Sequence, residues 1–197
     1  MKTCGRASGF TLIETMIVIG VLGLVSAFSI PMFGTAIANF RLSGDARSIS
    51  NAVAVAKMRA SSKFSRVRLY VALTDRTFRI ETWDKTDSHW ESEGGSTSLS
   101  LNTTFSYGSV SLPPVNTQGT IGQAPQCKND AGTNIGNTAC IMFNSRGIPV
   151  DSTGVPTAAN ALYVTDGTAV YGLTVAATGM SRLWRTNPTS TPSWVLQ

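Results

Sequence analysis

Histidine is almost missing from these 197 residues: there is one, His89. Charged residues make up only 14% of the chain and aromatic residues 8%. Each shortage excludes something. Acid–base catalysis and metal sites lean on histidine grouped with further donors. His89 lies in a polar stretch, Asp87-Ser88-His89-Trp90, with no second histidine and no metal-site spacing. An exposed loop residue is the expectation there. Gly132-Thr133-Asn134-Ile135-Gly136 has turn formers, but neither the lysine nor the following helix of a phosphate cradle. A nucleophile elbow is excluded too, because no Gly-x-Ser-x-Gly occurs. The sequence therefore predicts no enzyme, no cofactor and no metal.

What is present begins with an apolar run. Phe10 to Ile30 is 21 residues broken by a single charge, Glu14, and as a helix it is long enough to cross a bilayer's hydrocarbon core. A carboxylate in hydrocarbon costs several kcal/mol unless something pairs with it. Two plain readings compete for this segment. A secretory signal peptide would use Lys2 and Arg6 as its basic region and Val25-Ser26-Ala27 as its cleavage site. A simple signal anchor explains the length, but neither Glu14 nor what precedes Phe10.

A third reading comes from Ser8-Gly9-Phe10-Thr11-Leu12-Ile13-Glu14, which resembles the processing site of type IV pilins and type II secretion pseudopilins. The resemblance implies a cut by a prepilin peptidase between Gly9 and Phe10 and methylation of the new terminus at Phe10. It implies subunit assembly around Glu14, whose partner in a filament can be a neighbour's N-terminal amine, and a helix bend at Pro31. The parts expected are a cleaved leader at 1–9, a transmembrane and filament-core helix at 10–30, an amphipathic continuation at 31–62 and a β head at 63–197. Such a chain would be a single-pass protein of the bacterial inner membrane with its head in the periplasm, later a pseudopilus or pilus subunit. Its partners would be the peptidase, other pilins or pseudopilins and the inner-membrane assembly platform.

Charge and cysteine are best judged after that cut. The whole chain carries a net +5 with a pI near 9.4. Without Lys2 and Arg6 it has fourteen basic residues against eleven acidic ones, or +3, a weak case for a polyanion partner. Cys4 leaves with the leader, and Cys127 and Cys140 remain as a pair that in an exported head reads as one disulfide.

Beyond Pro31, Leu42, Ala46, Ile49, Val53, Ala56 and Ala60 recur in steps of four and three with polar residues between them, the stripe of an amphipathic helix. From Thr11 to about Ser61 the combined helix would span about 75 Å. Val67, Leu69, Val71 and Leu73 then alternate with other residues, and the alternation resumes at Phe78, Ile80 and Thr82, which predicts a hairpin. Asp84 to Ser98 reads as a loop, Leu99 to Leu112 as one or two strands, and Pro113 to Ala139 as a long irregular excursion. Ile141–Phe143, Ala161–Thr165, Thr168–Val175 and Met180–Trp184 are strand candidates, with Asp166-Gly167 as a two-residue hairpin turn. The fold class is α+β: a long N-terminal helix packed on an antiparallel β-sheet head.

Two further stretches, Phe143-Asn144-Ser145-Arg146-Gly147 and Val175-Ala176-Ala177-Thr178-Gly179, with the hairpin after the helix, resemble the GspH/FimT family of minor pseudopilins and minor pilins. Some FimT-like members bind DNA through a basic C-terminal motif. Here that region reads Gly179-Met180-Ser181-Arg182-Leu183-Trp184-Arg185, with Met180 where the first arginine of the Gly-Arg-x-Arg pattern would stand. Arg182 and Arg185 are the residues such a contact would use. Three apart on a strand, they would point to opposite faces.

Overall fold

The computed structural model describes residues 9–158 and 160–197. The chain divides into two compact units, one running to Phe40 and the other from Arg41 to Gln197. The first is helical. Helix α1 (Leu12–Ser62) continues through position 31 and on into the second unit. The side chain of Pro31 lies outside what is described, as does the expected leader apart from Gly9.

The second unit joins the last part of α1 to nine strands: β1 (Val67–Ala72), β2 (Thr77–Asp84), β3 (His89–Ser98), β4 (Thr138–Phe143), β5 (Pro149–Val150), β6 (Asn160–Thr165), β7 (Val170–Val175), β8 (Ser181–Thr186) and β9 (Val195–Leu196). They form two antiparallel sheets, ordered β3-β2-β1-β4-β5 and β6-β7-β8-β9. The sequence reading counted one sheet. Strand periodicity tells which residues face inward, but it cannot tell which strands share a ladder.

The stripe on α1 is buried as its spacing requires: Leu42, Ala46, Ile49, Val53, Ala56 and Ala60 are each at most 2% exposed. They pack against Val67, Leu69, Val71, Ile141 and Phe143 of one sheet and Leu162, Val164 and Leu173 of the other, in a single apolar core. Three alanines in the stripe let the strands approach the helix closely. A smaller cluster, Val110, Ala161, Tyr163 and Val170, lies on the second sheet's other face.

Lys57 of α1 ties the sheets together. Its ammonium donates to the Gly179 carbonyl at 3.0 Å, and Gly147 packs on its aliphatic stem. Gly147 and Gly179 have φ of +73° and +74°, and a side chain on Gly179 would collide with the Gly147 carbonyl. The turn after β4 and the turn after β7 therefore meet at one point, and both glycines are needed there.

Several expectations are corrected. Residues 84–98 are not a loop: β3 occupies His89–Ser98, with His89 half-buried at its start rather than in an exposed loop. This is an edge strand, exposed along most of its length apart from His89, Trp90 and Glu93, so it needs no apolar alternation, and its charges and glycines suit a sheet edge. Leu99 to Leu112 holds no extended strand, only a bridge at Thr104. Phe105 and Val110 are buried while Leu101 and Leu112 are exposed, and Asn102 and Gly108 take positive φ. The apolar residues anchor an irregular segment. The β6–β7 connection is four residues, because Thr165 pairs with Val170. Asp166 Oδ1 accepts the N–H groups of Thr168 and Ala169 at 2.8 and 3.2 Å and supports the longer turn.

Candidate functional site

The apolar segment at the start of α1 is built so that one polar group is left over. Thr11 stands just before the helix and its Oγ1 accepts the Glu14 N–H at 3.3 Å. Thr11-x-x-Glu14 thus has the spacing of a capping box, a signal carried by the sequence itself. Glu14 lies in the first turn, where a negative charge also meets the positive end of the helix dipole. The other hydroxyls bond back to the helix: Thr15 to the Leu12 carbonyl, Ser26 to Leu22 and Ser29 to Val25, each at 2.8 Å. Such pairing is what hydrocarbon demands of a polar side chain. The Glu14 carboxylate has no hydrogen bond or ion pair among the described residues. A cation for it must come from elsewhere.

The apolar side chains around it also lack cover. From Phe10 to Phe28 the large ones are 49–79% exposed, on every side of the helix, and the helix is long and apolar enough to cross a membrane. A helix apolar all round requires an apolar environment.

Residues 4–30 match the family model described as the prokaryotic N-terminal methylation motif. The N-terminus is of the prepilin type. The matched stretch contains Gly9, Phe10 and Glu14, so the three positions singled out for processing and assembly fall inside it. No curated protein matches the sequence significantly. Two solved structures of the minor pseudopilin EpsH from the type II secretion system of Vibrio cholerae are similar to the chain, at TM-scores of 0.45 and 0.39 and identities of 12% and 11%. Each likeness covers 80% of this chain, and 97% and 96% of the respective EpsH chains. Both are too distant to carry a function across.

The C-terminal arginines are not brought together. On β8, Leu183 packs toward the core. Arg185 shares that parity, with its guanidinium 5.9 Å from the centre of the Tyr171 ring. Arg182 lies on the other face, with Trp184, whose indole N–H donates to Thr174 Oγ1 at 3.0 Å. There it lines a cavity of about 330 Å³ beside Asn116, Thr178 and Met180.

Cys127 and Cys140 are disulfide-bonded, with Cα atoms 5.0 Å apart. The bond fastens the irregular segment to β4, and closing a loop of this length is worth about 3 kcal/mol in the chain-entropy account. His89 approaches Asp84 and Asp87, with one candidate ligand atom from each inside 4.8 Å of the others. Spacing had not suggested that group. Asp84 is already used by the turn: the Thr86 N–H, first among its partners, holds its carboxyl below the usual range.

Sequence reasoning also missed a cluster on the outer face of the five-stranded sheet. Glu81, 4% exposed, accepts from two arginines: Arg68 Nε on Oε2 at 2.6 Å and Arg79 Nε on Oε1 at 2.7 Å. Burial lowers the Arg68 guanidinium from its ordinary value, against the opposing pull of Glu81. The signal was there: Arg66, Arg68 and Tyr70 alternate with core residues, as do Arg79, Glu81 and Trp83. Their exposure depended on what lay over that face.

Proposed function

We propose that this protein is a minor subunit of a type II secretion pseudopilus or type IV pilus, with a structural role in secretion or pilus assembly. One observation carries the reading: a prepilin-type N-terminus opens an apolar run, Phe10 to Ile30, whose single carboxylate, Glu14, has no partner among the described residues. A plain anchor has no use for that charge. A filament of stacked helices uses it, because each N-terminal amine can lie beside a neighbour's Glu14, while the apolar side chains are covered first by lipid and then by other subunits. On this reading a prepilin peptidase cuts between Gly9 and Phe10, and the helix survives as both inner-membrane anchor and filament core. A cut near Ala27 would remove both uses. The head then stands in the periplasm, where the Cys127–Cys140 bond is chemically at home.

Mass spectrometry of the mature N-terminus tests this. A methylated phenylalanine at Phe10 is expected, and a chain starting at Phe28 would refute the proposal. Deleting the gene should impair secretion or piliation, and normal secretion with normal pili in its absence would refute the role.

DNA capture during natural transformation is the alternative function. Arg182 and Arg185 on opposite faces of β8, with Met180 exposed between strand and turn, count against a continuous phosphate-binding stripe. Salt-dependent binding of duplex DNA, weakened by Arg182→Ala or Arg185→Ala, would favour it.

A further inference from the structure

On the outer face of the five-stranded sheet and in the segment over it, two cations have no ion pair among the described residues. Arg68 is spent: its guanidinium reaches Glu81 and also donates to the Lys128 carbonyl at 2.6 Å. Arg79 is likewise spent on the other Glu81 oxygen. One carboxylate thus serves two guanidiniums, and nothing remains of it for a third cation. Arg66 and Lys128 lie next to this group, and neither has a carboxylate within ion-pair distance among the described residues. The Arg66 guanidinium is held over the Trp83 ring, 4.8 Å from its centre, and Trp90 packs edge-on against Trp83.

Arg66, Lys128, Trp83, Trp90 and Asp130 line one cavity of about 270 Å³. Asp130 is the acid at its rim, and its Oδ1 is already engaged by the Trp90 backbone N–H at 2.9 Å. Counted together, Arg66, Arg68, Arg79 and Lys128 stand against two carboxylates, Glu81 and Asp130, so this face keeps a net positive charge.

An arginine stacked on an indole is preorganised, since the ring fixes the guanidinium plane and leaves its N–H edge to meet a second planar group. Carboxylate is the protein group that matches this fork, and a nearby ammonium adds a second charge-assisted donor. The cavity is smaller than the roughly 300–1,000 Å³ of sites for drug-sized ligands, but ample for one acidic side chain. A second copy of this chain is a poor source, because its net charge is positive, +3 even without Lys2 and Arg6, and repels itself.

We propose that this cavity is a docking site for a carboxylate side chain presented by an acidic segment of a partner protein. That the partner is another filament subunit rests on the function proposed above. The cavity's preference for carboxylate does not.

The test uses the full-length protein in detergent micelles and a fluorescent glutamate-rich peptide, with a glutamine-for-glutamate peptide as control. Anisotropy at low salt should show binding of the first and not the second. The double variant Arg66→Gln/Lys128→Gln should bind at least about tenfold more weakly, a loss of about 1.4 kcal/mol, while Arg182→Gln/Arg185→Gln leaves binding unchanged. Both Trp83 and Trp90 indole resonances should shift with peptide in the wild type. Should the double variant fold poorly, Arg66→Glu/Lys128→Glu offers an independent arm, expected to exchange the preference for a lysine-rich peptide. Equal binding of the two peptides, an unaffected double variant, or binding of inorganic phosphate without binding of the peptide would each overturn the proposal. None of these results depends on how the N-terminus is processed.

Discussion

The Gly147–Gly179 contact shows how a single residue choice can decide the fit of two sheets. Both glycines are left-handed, but Gly179 also has no room for a methyl group. Gly179→Ala should cost on the order of 3 kcal/mol, from left-handed strain plus overpacking. Gly154, with φ of +89° and open space around it, separates the two effects. Gly154→Ala should lose only the strain, about 1 kcal/mol. Urea denaturation of both variants reads the difference, and equal losses would mean that the close approach is unimportant. The glycines themselves stood out in the sequence as turn residues. That the two turns touch, with Lys57 between them, could not be read there, because 31 positions of chain and a change of sheet separate them.

Between elements, the end of α1 is fastened to the edge strand β3 through Glu93, which pairs with Lys63 and Arg59 and accepts the Thr82 hydroxyl at 2.6 Å. Burial pulls the Glu93 carboxyl upward, but the bonds from Lys63 and Thr82 and the two cations outweigh it and hold it below its usual value. The sign follows: a carboxyl depressed in the folded state stabilises above the ordinary carboxylate range. It loses that contribution as pH falls below about 4. Glu93→Gln should therefore be less stable than wild type near neutral pH, by a margin that shrinks at pH 3. Denaturant midpoints at the two pH values measure it, and a constant margin would contradict the assignment. The core stripe of α1 and the β1–β2 hairpin were legible because their periods, near 3.6 and 2, are set by burial of one face. β3 was not legible, because an edge strand held by its backbone needs no such period. The segment after it was misread, because isolated apolar anchors resemble a weak strand.

For the whole molecule, the uncovered apolar run from Phe10 to Phe28 and its one carboxylate, Glu14, set the central expectation. Glu14→Ala should leave membrane insertion intact, since it removes the one charge from the apolar run, and should abolish or misalign assembly. Fractionation together with recovery of sheared filaments tests this, and normal incorporation of the variant would show that Glu14 has no assembly role. Sequence alone determined the prepilin-type N-terminus, the apolar helix, its buried stripe and the α+β class. These are local matters: contiguous residues, or residues at a fixed period, meet the same solvent whatever the remote chain does. Tertiary structure alone decided the division into two sheets and the joining of two glycine turns by Lys57, whereas the placing of Arg182 and Arg185 on opposite faces of β8 already followed from their spacing. It also decided that Arg68 has an ion pair while Arg66 and Lys128 have none among the described residues, because charge balance on a sheet face depends on which distant segment folds over it.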